Sequence, residues 1–352
     1  LFLQGYQDGA GVSQNNFQQV MSRAGQLSEE MRRKGVKLHR DVSANIVYFA
    51  FNMNDPVVGG YTPEKRKLRQ AISLAIDSQP YIDLFNQGMG KPAEWIIPPG
   101  LFGYDPSYKN PYRQFNLQKA KQLLAEAGYP NGIDPKTGDR FTLFFDNTAV
   151  DAAGRQFVGL VVKQIEALGI HVESRAWRGN VWQDKVDKGQ FQFVRYGWYA
   201  DYPDPENFVF LLYGPNKRPG PNSSGYDNPE YNKRFEQMRS MDDGPERLAI
   251  IKKMRDISVE DCPWIYINHD ESLFLTQPWL QNVKPHPIAM DSGKYQSVDG
   301  AMRARLQAEW NRPNYWPAVA LAAFLFLGSI PAAGVVRQRT HRSARRGPGG
   351  GR

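Results

Sequence analysis

The segment Gly197-Trp198-Tyr199-Ala200-Asp201-Tyr202-Pro203-Asp204-Pro205-Glu206-Asn207-Phe208 holds the side chains best suited to recognition chemistry. Asp201, Asp204 and Glu206 supply carboxylates, and Trp198, Tyr199 and Tyr202 supply flat aromatic surface. The prolines keep the segment out of helix and sheet. It follows an apolar run, 191–198, that reads as a strand, so it lies where α/β proteins form ligand crevices, at the carboxyl end of a strand. A carboxylate such as Asp201 can receive an ammonium group there, because charge-assisted hydrogen bonds are short and strong once water is excluded. Trp198, Tyr199 and Tyr202 would wall the pocket and tolerate varied side chains. Alternatively, Asp201 and Asp204 cap turns beside the prolines. The residue types alone leave both readings open.

Little else in the sequence points to chemistry. The five histidines (His39, His171, His269, His286, His341) are scattered, and no zinc-protease, nucleophile-elbow or phosphate-loop motif is present. His269, Asp270 and Glu271 are adjacent, which on a strand sends neighbours to opposite faces, so they read as surface or packing residues rather than a metal cluster. Cys262 is the only cysteine, which rules out an intrachain disulfide and a cysteine metal cluster. Beside Pro263 it reads as a small buried residue. These observations lead us to expect no catalytic residues, no cofactor and no metal, and they weigh against an enzyme.

The elements that must position the segment have clear signatures. Residues 46–52 read as a strand. Thr62 with Pro63 opens a helix carrying Leu68, Ala71, Ile72, Ala75 and Ile76 on one stripe. Asn116 opens another, closed by Gly128 and Pro130. A strand at 141–145, a helix at 151–168 capped by Gly169, and a strand at 170–176 form a strand-helix-strand unit, which implies α/β architecture. Helices at 229–241 and 245–261 and a strand at 264–268 follow. Residues 1–45 mix a Gly-rich start with a polar helical stretch ending at Gly35 and read as an element of a larger lobe. The first residue, Leu1, suggests a truncated start.

The run 197–208 resembles the signature of the family 5 extracellular solute-binding proteins, the peptide and nickel binders of ABC importers. Tyr48-Phe49-Ala50-Phe51-Asn52, Leu68-Arg69-Gln70-Ala71-Ile72-Ser73-Leu74-Ala75-Ile76-Asp77 and Ala120-Lys121-Gln122-Leu123-Leu124-Ala125-Glu126-Ala127-Gly128-Tyr129-Pro130 match in the family's order. The resemblance covers about residues 1–305. It implies a periplasmic-binding-protein-like two-lobe α/β clamshell that closes about a hinge. Residues 1–45 would be a remnant of lobe one, 46–265 the second lobe and 266–308 a return segment, leaving the first lobe incomplete. By resemblance Asp201 matches the aspartate that pairs with a peptide's α-ammonium, and Trp198 would line the site. The family's basic partner for the ligand carboxylate has no counterpart in Asp146-Asn147-Thr148-Ala149, where Arg155 is the nearest cation. A longer peptide would fit that departure.

The net charge of +8 belongs to the tail: Arg337, Arg339, Arg342, Arg345, Arg346 and Arg352 account for six, which leaves +2 for residues 1–336. Residues 313–336 form an uncharged run of 24, enough to span a bilayer, with Tyr315 and Trp316 at one end and the arginines at the other. The expectation is a transmembrane helix over 313–336 and a basic cytoplasmic tail over 337–352. The whole would be a monomeric, single-pass peptide binder on the periplasmic face of the inner membrane, delivering to ABC permease subunits. A nucleic-acid partner is excluded, since the arginines lack interleaved aromatics to stack bases. A membrane-tethered sensor, or a binder of a nickel chelate or sugar, are the competing functions.

Overall fold

Asn45–Phe51 is buried along its whole length, and a strand without a solvent-facing residue must sit inside a sheet covered on both faces. The computed structural model describes residues 1–13, 16–22, 25–284, 288 and 293–344, with the side chains of 328–332 and 341–344 left out. His286 and the tail arginines Arg345, Arg346 and Arg352 lie outside the described residues, and so do the side chains of His341 and Arg342. The strands of the two larger sheets are β1 (Gly9–Gly11), β2 (Lys37–Val42), β3 (Asn45–Phe51), β4 (Lys91–Pro92), β5 (Thr142–Asn147), β6 (His171–Ala176), β7 (Phe193–Tyr199), β8 (Trp264–His269) and β9 (Glu271–Thr276). Six form one mixed sheet in the order β4-β8-β3-β7-β5-β6, in which β5 is parallel to β6 and β7 while β3 runs antiparallel to β7 and β8. The strands β1, β9 and β2 form a separate antiparallel sheet.

Alternation along β3 divides the core. Val47, Phe49 and Phe51 face one cluster with Phe145, Phe193, Leu68 and Ile72, whereas Ile46, Tyr48 and Ala50 face another with Trp264, Tyr266, Phe208 and Tyr231. The first face is covered by the helices Pro63–Ala75, Leu117–Glu126 and Ala152–Glu166. Asn116 and Asp151 cap the last two, accepting from Lys119 N at 2.9 Å and Gly154 N at 2.7 Å. Thr62 precedes Pro63 as expected but makes no side-chain cap.

Arg69 ties this layer together. It is fully buried, and all its hydrogen bonds go to backbone carbonyls: Nη1 to Val58 and Gly60 (2.7 and 3.0 Å), Nη2 to Asp261 (2.6 Å), Nε to Asp261 and Cys262 (3.0 and 3.2 Å).

The expected elements are present to within a few residues of their ends. The sequence reading missed β1, β2, β4 and β9 and the helices Gln79–Phe85, Gly179–Asp187 and Gly300–Trp310. The strands are mixed-polarity runs given order by their partners.

The chain divides into two compact units, Leu1–Asp8 with Val298–Arg352, and Gly9–Ser297. In the first, Asp299 caps the helix Gly300–Trp310, and Gln307 and Asn311 donate to the carbonyls of Gly5 and Gln4. A 29-residue helix, Trp316–Ala344, ends the described chain. Among the described residues no helix is long and apolar enough to cross a membrane. The span expected over 313–336 is therefore not supported by them. Its residues 328–332 have side chains outside the described set, and the helix continues past the apolar run through Arg337 and Arg339 rather than ending with it.

Candidate ligand-binding site

The six-stranded sheet brings the carboxyl ends of β5 and β7 to one edge, beside the amino end of β3, where Asn45 pairs with Tyr199. A cleft of about 530 Å³ opens there. Its floor is Arg195, Gly197 and Tyr199 of β7, and its rim is Asn147 to Ala149, Asp151, Trp182 and Asp270. At Gly197 a Cβ would approach Ile46 O to 3.2 Å, so glycine keeps this part of the floor low.

The one cation facing the cleft among its described lining residues is Arg195. Its Nη2 donates to Tyr81 Oη at 2.9 Å, and its guanidinium lies 5.0 Å from the Phe157 ring centroid, an arrangement that holds it by cation–π attraction. Its Nε is buried with no hydrogen-bond partner. Asp270 lies between the crossings from β2 to β3 and from β8 to β9, and Ser43 N donates across them to Asp270 O at 2.8 Å. Its Oδ1 accepts from Asn268 Nδ2 (2.7 Å) and Asn86 Nδ2 (3.2 Å), and its Oδ2 from Asn45 Nδ2 (2.6 Å) and Tyr199 Oη (3.4 Å). With two donors on each oxygen, this carboxylate is saturated and serves to position the crossings.

Of the four residues expected to contact a ligand, Tyr199 lines the cleft and is 65% exposed. Burial of the phenol and the Asp270 carboxylate together raise its pKa. Trp198 points to the opposite face of β7, where it meets Phe210 edge-on and donates Nε1 to Asn207 Oδ1 at 3.3 Å. Tyr202 is exposed and hydrogen-bonds Glu206, and burial followed by that contact pushes its pKa up to about 12. Asp201 is exposed, and its side chain is held by Asn207 Nδ2 at 3.2 Å. Trp198, Asp201 and Tyr202 are not among the residues lining the cleft.

Asp204 follows the turn-capping reading. Its Oδ1 accepts from Glu206 N at 2.7 Å, and its carboxylate takes Arg247 in a two-point pair at 2.7 and 3.0 Å. Sequence reasoning missed Arg195 and Asp270. The available signal for Arg195 was a lone cation two residues from Phe193 and from Gly197 on a predicted strand, which places all three on one face.

His269, beside Asp270, is buried and donates Nδ1–H to Asn45 O at 2.6 Å, since a carbonyl can only accept. Burial lowers its pKa to about 4. The unfolded imidazole takes its proton near pH 6.5, so stability from the neutral form is complete above that value and is lost as pH falls toward 4, by on the order of 3 kcal/mol. Urea denaturation between pH 7 and 4 should show this slope, and His269→Gln should flatten it. An unchanged slope in the variant would exclude the assignment. Among the described residues no three His, Cys, Asp or Glu side chains are grouped to hold a metal.

Comparison with known proteins places this geometry. Residues 13–220, more than half of the chain, match the model described as bacterial extracellular solute-binding proteins, family 5 Middle. The chain belongs to this family. The family consists of binding proteins rather than enzymes. Heme-binding protein A of Haemophilus influenzae is 26% identical over 269 residues, which cover 75% of this chain and 46% of that protein. An oligopeptide-binding protein of Bacillus subtilis is 26% identical over 252 residues, 71% of this chain and 44% of that one. The chain spans about half the length of these curated relatives. Among solved structures, a Helicobacter pylori periplasmic binding protein in complex with the peptide STSA superposes with a TM-score of 0.62 at 23% identity, covering 74% of this chain and 49% of that one. A Bacillus subtilis oligopeptide-binding protein in complex with a nonapeptide gives 0.67 at 19% identity, covering 84% and 57%. Both show the periplasmic-binding-protein-like α/β fold with a mixed sheet.

Proposed function

We propose that this chain is part of the substrate-binding component of an ABC importer, capturing peptides in the periplasm by clamshell closure and handing them to permease subunits. The carrying observation is the cleft at the carboxyl ends of β5 and β7, directly beside the two adjacent chain crossings at 42–45 and 269–271. Closely spaced crossings between two sheets are where a hinge would bend. On this reading the part of the chain from 46 to 265 is the ligand-bearing lobe, and 9–45 and 271–276 belong to the other. Asp201 takes the ligand's ammonium with Tyr199 and Tyr202 beside it, Trp198 backs the segment from the opposite face of β7, and Arg195 supplies the carboxylate partner that the loop after β5 lacks. Native mass spectrometry of the protein purified from periplasm tests this. Co-purified masses spaced as short peptides are the expected result, and a single non-peptide mass such as a heme would replace the substrate while keeping the fold.

The run 313–336 is proposed as a membrane anchor, with the tail in the cytoplasm. Support comes from its lack of charge and from exposed Leu321, Phe324, Leu325 and Leu327 within one helix. Carbonate extraction of membranes carrying the full chain should leave it in the pellet, and Leu325→Arg, at a cost of about 3 kcal/mol for a central charge, should shift it toward the supernatant. Complete release of the unmodified protein would rule the anchor out.

A further inference from the structure

A second cavity of about 330 Å³ adjoins the cleft and shares Arg195 and Asp270 with it. Its other walls are Tyr81, Phe85, Asn86, Met89 and Glu271. Three features define its chemistry. Tyr81 and Phe85 are stacked with centroids 6.1 Å apart and, with Met89, present polarizable surface from the helix Gln79–Phe85 and the turn after it. The charges are one cation, Arg195, and two acids, Asp270 and Glu271, so the cavity carries a net negative charge. The acids differ in availability: four donors saturate Asp270, whereas Glu271 makes no side-chain hydrogen bond or ion pair among the described residues. Glu271 begins β9, opposite Val42, so its backbone is fixed by the three-stranded sheet while its carboxylate remains available.

We propose that this cavity is a side subsite for a cationic group of the ligand, with Glu271 as its acceptor. Aromatic and thioether walls carry the methylene stem of a lysine-like side chain and attract its cationic end, and Glu271 forms the charge-assisted hydrogen bond. Arg195, whose Nη2 is held by Tyr81 and whose guanidinium lies over the Phe157 ring, stays at the junction and faces the main cleft. The subsite thus selects basic side chains next to the position whose backbone occupies the cleft. This inference rests on the peptide reading above.

Isothermal titration calorimetry of the full chain with Ala-Lys-Ala and Ala-norleucine-Ala, which differ only by the terminal ammonium, separates the possibilities. The lysine peptide should bind about tenfold or more tightly, and Glu271→Gln should erase that preference while leaving norleucine affinity and the melting temperature unchanged. Measurable and equal affinities for both peptides in the unmodified protein would overturn the subsite and leave the peptide reading in place. So would a lysine preference that survives Glu271→Gln. Absence of binding by either peptide up to millimolar concentration would overturn the peptide reading and the subsite with it.

Discussion

Arg69→Met is expected to destabilise the unit Gly9–Ser297 by about 4 kcal/mol or more, a large share of the 5–15 kcal/mol that holds a typical domain folded. The reason lies in the groups left behind. Val58, Gly60, Asp261 and Cys262 carbonyls all point at the guanidinium, from buried backbone except at half-buried Gly60. Methionine fills the space but donates nothing, and each buried carbonyl left unpaired costs about 1–3 kcal/mol. Burial already lowers the Arg69 pKa, which marks how far the charge is from water. The Asp261 carboxylate does not take over this role, because it binds Arg66, Tyr226 and Asn228 while only its backbone carbonyl meets Arg69. Arg69→Lys should recover only part of the loss, since an ammonium cannot span carbonyls that a planar fork reaches. Guanidinium denaturation read by circular dichroism provides the measurement. A midpoint for Arg69→Met within error of the unmodified protein would refute this account.

The second large effect separates two aspartates only three residues apart. Asp201→Asn should weaken peptide binding roughly 10- to 100-fold, the loss of one charge-assisted hydrogen bond of about 1.5–3 kcal/mol, with little change in stability because the side chain is exposed. Asp204→Asn should do the reverse. It breaks the two-point pair to Arg247, whose side chain is 3% exposed and retains only Asp243 as an anionic partner. The expected cost is about 1–2 kcal/mol of stability, reduced from that of a fully buried pair by the partial exposure of Asp204, with affinity preserved. Titration calorimetry and denaturation on both variants give four numbers. If Asp201→Asn lowers stability and spares affinity, its role is that of a turn cap and the ligand assignment falls.

The pattern of what could be read early has a common cause. Helices such as Leu117–Glu126 and Ala152–Glu166 carry their own start signals, Asn116 and Asp151, and their own apolar stripes, so they are legible locally. The run Ile46–Phe51 is legible for the same reason: a strand buried on both faces is apolar throughout. β2, Lys37-Leu38-His39-Arg40-Asp41-Val42, has no such signature, and its pairing with β9 joins residues more than 220 positions apart. Turn capping by Asp204 was one of two readings its neighbours allowed, and the distant Arg247 adds the ion pair that fixes its role.

By itself, then, the sequence determined the α/β class, the helices and central strands that carry their own caps and apolar stripes, and the family signature at 197–208, because each is written in residues a few positions apart. Tertiary structure alone decided that Tyr199 lines the cleft while Trp198 turns to the core. It also brought Arg195, Asp270 and Glu271 together at one opening and saturated Asp270 while leaving Glu271 available. Those outcomes depend on strand register and on which chain segments cross side by side, and both are set by long-range pairing that no local pattern encodes.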